Sequence, residues 1–166
     1  MIDRPTPQGD YAQRLVFLFA LAYFAQGIGQ DEGLLSQPLK YFFKEALNLD
    51  AAQTTEYLAV VAIPWTIKPL YGLVSDYIPL AGYRRKTWLM AVCLIAAVGF
   101  LWMSRLTAPA VVVTALTLTA LGVAAADVII DAIMVENGRE TGRTAEYQSV
   151  QWLWMSIGSV VSALLG

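Results

Sequence analysis

Residues 63–86 read IPWTIKPLYGLVSDYIPLAGYRRK, a run that places a lysine inside an apolar helix and ends that helix in an acid, a turn and three cations. From Thr55 to about Ile78 the chain is mostly apolar. At a rise of about 1.5 Å per residue, a helix of that length crosses a hydrocarbon core of about 30 Å. Lys68 falls near the midpoint of this span, where an ammonium facing lipid costs at least about 2.5–3.5 kcal/mol, so it should face protein or water. An intramembrane lysine is a functional candidate for that reason. Pro64 and Pro69 bracket it. Each lacks a backbone donor, and the carbonyls they free tolerate a bend only beside other helices or a water-filled cavity. Lys68, Tyr71 and Ser75 are spaced i, i+3, i+7 and share one face.

The composition points the same way. The chain is 57% hydrophobic and its charges are confined to short clusters, which leaves too much apolar surface for a soluble domain of 166 residues. It contains no histidine, which excludes histidine metal sites, triads and imidazole proton shuttles, and leaves lysine and carboxylates for protonation chemistry. The one cysteine, Cys93, sits in an apolar run and reads as a packing residue. With no nucleophile–base set, metal cluster or cofactor motif, the chain does not read as an enzyme. Its net charge of −2 argues against a nucleic-acid partner.

Residues 1–12 are polar, lack the character of a transit peptide and read as a cytoplasmic tail. The apolar run from Leu15 to Gly29 is too short to cross alone, so helix 1 is expected over Gln13–Leu47, bent at Gly27, Gly29 or Gly33. On that reading Gln26, Gln30 and Asp31 lie within the membrane, and Tyr23, Gln26 and Gln30 make a hydrogen-bonding stripe. The alternative has Asp31 and Glu32 opening a solvated outer loop. Asp50 or Thr54 caps helix 2. Helix 3, about Thr87 to Leu106, carries no charge before Arg105 and reads as a lipid-facing support.

Helix 4 starts near Pro109, and its middle, Gly122 to Ala126, is small apart from Val123, permitting close approach of a neighbour. Asp127 and Asp131 follow at i, i+4, and neither is cheap in hydrocarbon unless paired, protonated or wet. Asp127 lies about 7 Å from the middle of the span, whereas Asp131 and Glu136 approach the cytoplasmic end. Two roles stay open for Asp127: binding substrate or a proton, or pairing structurally with Lys68 or within a gate. For Asp131 and Glu136 the expectation is ion pairing to Arg84, Arg85 or Arg139 in a cytoplasmic gate. Helix 5, Tyr147 to Gly166, presents Gln148, Trp152, Met155, Ser159 and Ser162 along one side. Arg4, Arg14, Arg84, Arg85, Lys86, Arg139 and Arg143 fall on one side of the membrane, against Lys40, Lys44 and Arg105, which puts the N-terminus in the cytoplasm.

Gly72, Asp76, Gly82, Arg84 and Arg85 resemble the loop signature of the major facilitator superfamily, in which a Gly and an Asp close helix 2 and a Gly-Arg-Arg group opens helix 3. Five residues, Tyr77 to Ala81, separate the Asp from the next Gly, where most of the superfamily has two. That longer form, with PWTIKPLYG before it and GYRRK after it, resembles the folate-biopterin transporter family. YFAQG and PLKYFFKEALNLD also look like that family's first helix, though QDEG between them departs from it. DVIIDAIMVE is similar both to this family and to the related muropeptide permeases.

The resemblance implies an all-α, polytopic transmembrane helix bundle: the N-terminal half of a superfamily transporter, with about five helices over residues 13–166 and a cytoplasmic gate loop at 76–86. As two six-helix halves with a midplane site make such a transporter, the chain reads as a fragment lacking its sixth helix and the C-terminal half. It further implies alternating-access transport of folate or biopterin across a bilayer, in a bacterial inner membrane. Within that frame Asp127 or Asp31 accepts hydrogen bonds from the pterin edge, Lys68 meets a substrate carboxylate, and Tyr23, Trp65 or Trp152 stacks on the ring. A desolvated cavity acid carries a coupled proton. Asp76 and the Arg84/Arg85 loop, with Gly72 and Gly82, hold the gate. Competing readings are a muropeptide or other organic-anion permease of the same superfamily, or a truncated membrane protein that does not transport.

Overall fold

A computed structural model of the chain describes residues 7–29, 36–103 and 108–165. Every element among them is helical apart from one isolated bridge between Leu80 and Tyr83. The helices are α1 (Pro7–Gly29), α2 (Ser36–Tyr41), α3 (Ala51–Thr66), α4 (Lys68–Tyr77), α5 (Lys86–Met103), α6 (Pro109–Thr141) and α7 (Thr144–Leu165), with a π-helical turn, Phe42–Ala46, continuing α2. Three stretches are long and apolar enough to cross a membrane: Ala51–Tyr77, Lys86–Met103 and Pro109–Thr141. The protein is an all-α transmembrane protein. α1 and α7 are diluted by polar first turns, where Asp10 pairs with Arg14 at 2.8 Å and Arg143 grips Glu146 at 2.5 and 2.6 Å. That hydrogen-bonded carboxylate raises the pKa of the Arg143 guanidinium.

The chain divides into two compact units. One comprises Met1–Gln37 with Ile133–Gly166, and the other Pro38–Ala132. In the first, α7 packs along α1, and the backbones come close at Gly27 and Gly158. A Cβ on Gly158 would lie 2.5 Å from the Phe24 carbonyl oxygen, and one on Gly27 would overlap the Met155 carbonyl. The backbones are close enough for α7 to hydrogen-bond to those of α1: the Ser162 hydroxyl donates to the Ile28 carbonyl at 3.2 Å, and Ser159 to that of Gly27 at 3.4 Å. Phe19 meets Tyr147 edge-on at 5.2 Å, and Phe24 meets Trp154 likewise at 6.1 Å. Of the expected polar side of this helix, Met155, Ser159 and Ser162 face α1, whereas Gln148 and Trp152 are exposed.

In the second unit the core is Phe43, Val112, Val113 and Leu116, with Leu39, Tyr57, Leu58 and Val61 packed around it. α3 opens with a complete capping box: Asp50 accepts from the Gln53 N–H at 2.8 Å, and the Gln53 side chain accepts from the Asp50 N–H at 3.1 Å. α5 crosses α6 where the small residues allow it. Gly122 lies under Val92 and Ala96, and Gly99 against Ala115 and Thr119. The exposed face of α5, with Met90, Leu94, Val98 and Leu101, suits lipid. Cys93 lies on an exposed face as well, a correction to its reading as a packing residue.

Other boundaries differ from expectation. Helix 1 begins at Pro7 rather than Gln13, so the second half of the stretch read as tail is helical. This is consistent with the tolerance of a proline at a first helical position. Its expected continuation to Leu47 runs through residues outside the described set. Helix 2 is interrupted at Ile67 (φ −94°, ψ 15°) and restarts at Lys68. Pro69 causes the break, because its ring has no N–H to offer the Trp65 carbonyl and collides with it. Pro64, fully buried inside α3, causes none.

Candidate functional site

The break at Ile67 sets the first residues of α4 at about 13 Å from its end at Tyr77, near half the thickness of a hydrocarbon core. Lys68 occupies that level. Its ammonium pairs with Asp127 Oδ2 at 2.5 Å and lies 4.5 Å from the centroid of the Trp65 ring. Three residues expected at the site, Lys68, Asp127 and Trp65, are thus brought together. A flexible lysine stem can carry its charge several ångströms from its own backbone, which lets it reach an acid on another helix.

The pair is asymmetric: the Lys68 side chain is 35% exposed and that of Asp127 12%. An isolated carboxylate there would bear the full desolvation penalty, which the ammonium offsets. An ammonium has three donors, of which the ion pair with Asp127 uses one. The indole face stabilises the same cation by its quadrupole. The arrangement can therefore hold a second anion, or exchange Asp127 for one, beside an aromatic surface.

The bend around Lys68 is stitched by neighbouring polar groups. The Tyr71 hydroxyl donates to the Pro64 carbonyl at 3.0 Å, and buried Ser75 donates to the Gly72 carbonyl at 3.0 Å. Spacing alone put Tyr71 and Ser75 on the lysine's face. It did not reveal that they donate to backbone carbonyls, because the carbonyl that a hydroxyl finds leaves no mark in the sequence. Gly72 faces Val128 of α6 across an ordinary van der Waals gap.

At the end of α4 the Arg85 guanidinium pairs with Asp76 at 2.8 Å. Between them the five residues of the longer spacing become part of a two-residue hairpin. Leu80 and Tyr83 exchange both backbone hydrogen bonds at 3.1 Å, with Ala81 (φ 52°) and Gly82 (φ 81°) at the tip. Trp88, which sequence reading passed over, ties the base by donating from Nε1 to the Ile78 carbonyl at 2.7 Å. Arg84 is exposed. On α6, Asp131 is half-buried, and Glu136 and Arg139 are exposed and spaced i, i+3.

The remaining expected residues lie in the other unit or outside the described residues. Tyr23 is fully buried, with its hydroxyl 3.8 Å from Met134 Sδ. Both amide atoms of Gln26 are buried without a hydrogen-bond partner among the described residues. Gln30 and Asp31 lie outside the described residues.

Comparison with known proteins adds a family. The family model described as the BT1 family matches residues 26–166. The "Folate-biopterin transporter" of Synechocystis sp. is 34% identical over 147 residues, covering 85% of this chain and 28% of the relative. The "Probable folate-biopterin transporter 4" of Arabidopsis thaliana is 32% identical over 157 residues, 91% of this chain and 31% of that protein. The "Folate transporter 1" of Plasmodium falciparum is 26% identical over 133 residues, 79% of this chain and 26% of its own. The chain therefore spans less than a third of the length of these relatives. No solved structure matches it.

Proposed function

Because this chain belongs to the BT1 family, we propose that it forms part of a secondary active transporter that moves folate- or pterin-type substrates across a membrane by alternating access. The observation that carries this reading is the ion pair of Lys68 and Asp127 beside Trp65 in a span otherwise apolar at that level. A pterin offers a flat ring with an amino-pyrimidinone edge, and folate adds carboxylates. Trp65 matches the ring, Asp127 the donor edge and Lys68 the carboxylate. The names of the similar proteins support the same substrate class.

We also assign Tyr23, Gln26, Gln30 and Asp31 to the substrate path, and a coupled proton to a cavity acid. The helices from Pro7 onward then supply the N-terminal helices of a two-half transporter of the major facilitator type, with the C-terminal half completing the site. The N-terminus is cytoplasmic by the distribution of cations, and the membrane is a bacterial inner membrane. Asp76, Gly72, Gly82, Arg84, Arg85, Asp131, Glu136 and Arg139 form the cytoplasmic gate, with the Asp76–Arg85 pair as its clasp.

Folate uptake by the full-length protein, in cells without their own importer, tests the reading. Excess pterin should compete and excess muropeptide should not; competition by muropeptide alone would discard the substrate while keeping the architecture. Within the gate, Asp76→Asn is expected to slow turnover several-fold with little change in substrate affinity, because it weakens the clasp without touching Lys68. Binding titrations beside initial rates check this, and a parallel loss of affinity would refute the division between site and gate.

A further inference from the structure

The hairpin between α4 and α5 carries more than a gate needs. Tyr77, Ile78 and Tyr83 are 79%, 53% and 61% exposed, and the cations of Arg84 and Lys86 are exposed beside them. Lys86 Nζ lies 5.7 Å from the centroid of the Tyr83 ring, so one cation and one aromatic share a surface. Arg85, the cation between them, is turned inward onto Asp76 with 15% of its side chain exposed. Inward and outward cations therefore meet different surroundings, and Arg84 can contact the membrane surface as well as serve the gate.

We infer that this hairpin is a membrane-surface anchor, binding anionic phospholipid headgroups through Arg84 and Lys86 while Tyr77, Ile78 and Tyr83 sit at the headgroup–acyl boundary. Three physical facts converge on it. The hairpin joins two stretches long and apolar enough to cross a bilayer, Ala51–Tyr77 and Lys86–Met103, so its residues lie where hydrocarbon gives way to headgroups. Tyrosine is favoured at that depth because its ring is apolar and its hydroxyl is wet. Exposed cations at the same level complement the negative charge of an anionic leaflet. The turn is rigid, closed by two backbone hydrogen bonds and the Trp88 tie, so the aromatic and cationic groups are presented together rather than sampled. Lipid bound here holds the hairpin base, and with it the Asp76–Arg85 clasp. The inference rests on the membrane-spanning reading and not on what is transported.

The test uses the purified full-length protein in a neutral detergent and follows thermal unfolding as lipid is added. Phosphatidylglycerol should raise the unfolding temperature saturably, and phosphatidylcholine should not. Each cation near an anionic surface contributes about fivefold in affinity, so the Arg84→Gln/Lys86→Gln protein should need at least about tenfold more phosphatidylglycerol for half the effect. Tyr83→Ser should weaken the response while leaving both charges in place. On the unaltered protein, raising salt from low to about 0.5 M should diminish the phosphatidylglycerol effect, a readout that does not depend on any variant folding. Equal stabilisation by both lipids, an unchanged half-point in the double variant, salt-independence, or the same shift with soluble glycerol phosphate would each overturn the inference.

Discussion

Replacing Lys68 with alanine is expected to abolish uptake of carboxylated substrate by the full-length transporter while the protein still reaches the membrane. The ammonium is the one group on this face that can meet a substrate carboxylate directly, and it is accessible, with 35% of its side chain exposed. Its removal also leaves Asp127 uncompensated at 12% exposure. Breaking a buried pair by deleting one partner costs about 3–5 kcal/mol in the dry limit, and less here because the lysine end of the pair is partly solvated. The single variant should therefore be both inactive and destabilised. Lys68→Ala with Asp127→Asn separates the two effects, because an amide lacks the unpaired charge. The double variant should recover thermal stability toward the parent yet remain inactive. Measuring unfolding in detergent beside uptake normalised to membrane protein decides the matter. Unimpaired uptake in Lys68→Ala would remove the lysine from the site. Recovery of uptake in the double variant would reduce the pair to a structural link.

Gly27→Ala is the change expected to damage the fold most for its size. A Cβ at this position overlaps the Met155 carbonyl oxygen and lies 3.1 Å from the Gly158 Cα, both backbone atoms of α7 that no rotamer change can move. α1 and α7 would have to separate, weakening the Ser162 and Ser159 hydrogen bonds to the α1 carbonyls and loosening the Phe19–Tyr147 contact. Overpacking of this kind typically costs about 1–3 kcal/mol, and the backbone location puts Gly27 at the upper end. Gly72→Ala is the control. Its Cβ would meet only Val128 Cγ1 at 3.5 Å, an ordinary contact, and alanine is the better helix former. A clear drop in unfolding temperature for Gly27→Ala with little change for Gly72→Ala is the expected result. Equal stability of the two would mean that α1 and α7 do not approach as closely as Gly27 and Gly158 require.

Much of this molecule is written in short-range rules. The apolar lengths around Lys68, in α5 and in α6 announce spans, Asp50 announces a helix cap, and Pro109 announces a helix start. All act over a few residues, where rise per residue, period and capping geometry are properties of the local chain. The chemistry of the candidate site was legible for the same reason: a lysine, an acid and an indole in apolar surroundings stand out wherever they point. The expected start of helix 1 at Gln13 missed by two turns because the polar first turn of α1 has no apolar periodicity to reveal it. The single break at Ile67 was obscured because Pro64 and Pro69 read alike, though only the ring of Pro69 ends the helix.

The sequence by itself determined that the stretches around Lys68, in α5 and in α6 are apolar enough to span, that a lysine lies near midspan and that an aspartate lies within the apolar length of another helix. Only the tertiary structure decided that Lys68 takes Asp127, 59 residues away, as its partner, and that Trp65 covers the cation. It alone decided that Arg85 turns inward to Asp76 while Arg84 stays outside, and that Gly27 lies against Gly158. The reason is physical. Hydrophobic burial is non-directional and constrains which face of a helix turns inward, but not which residue of another helix meets it. Partner choice depends on helix rotation and crossing, which are set where backbones pass at small residues and where a charge in a low-dielectric region must find its opposite.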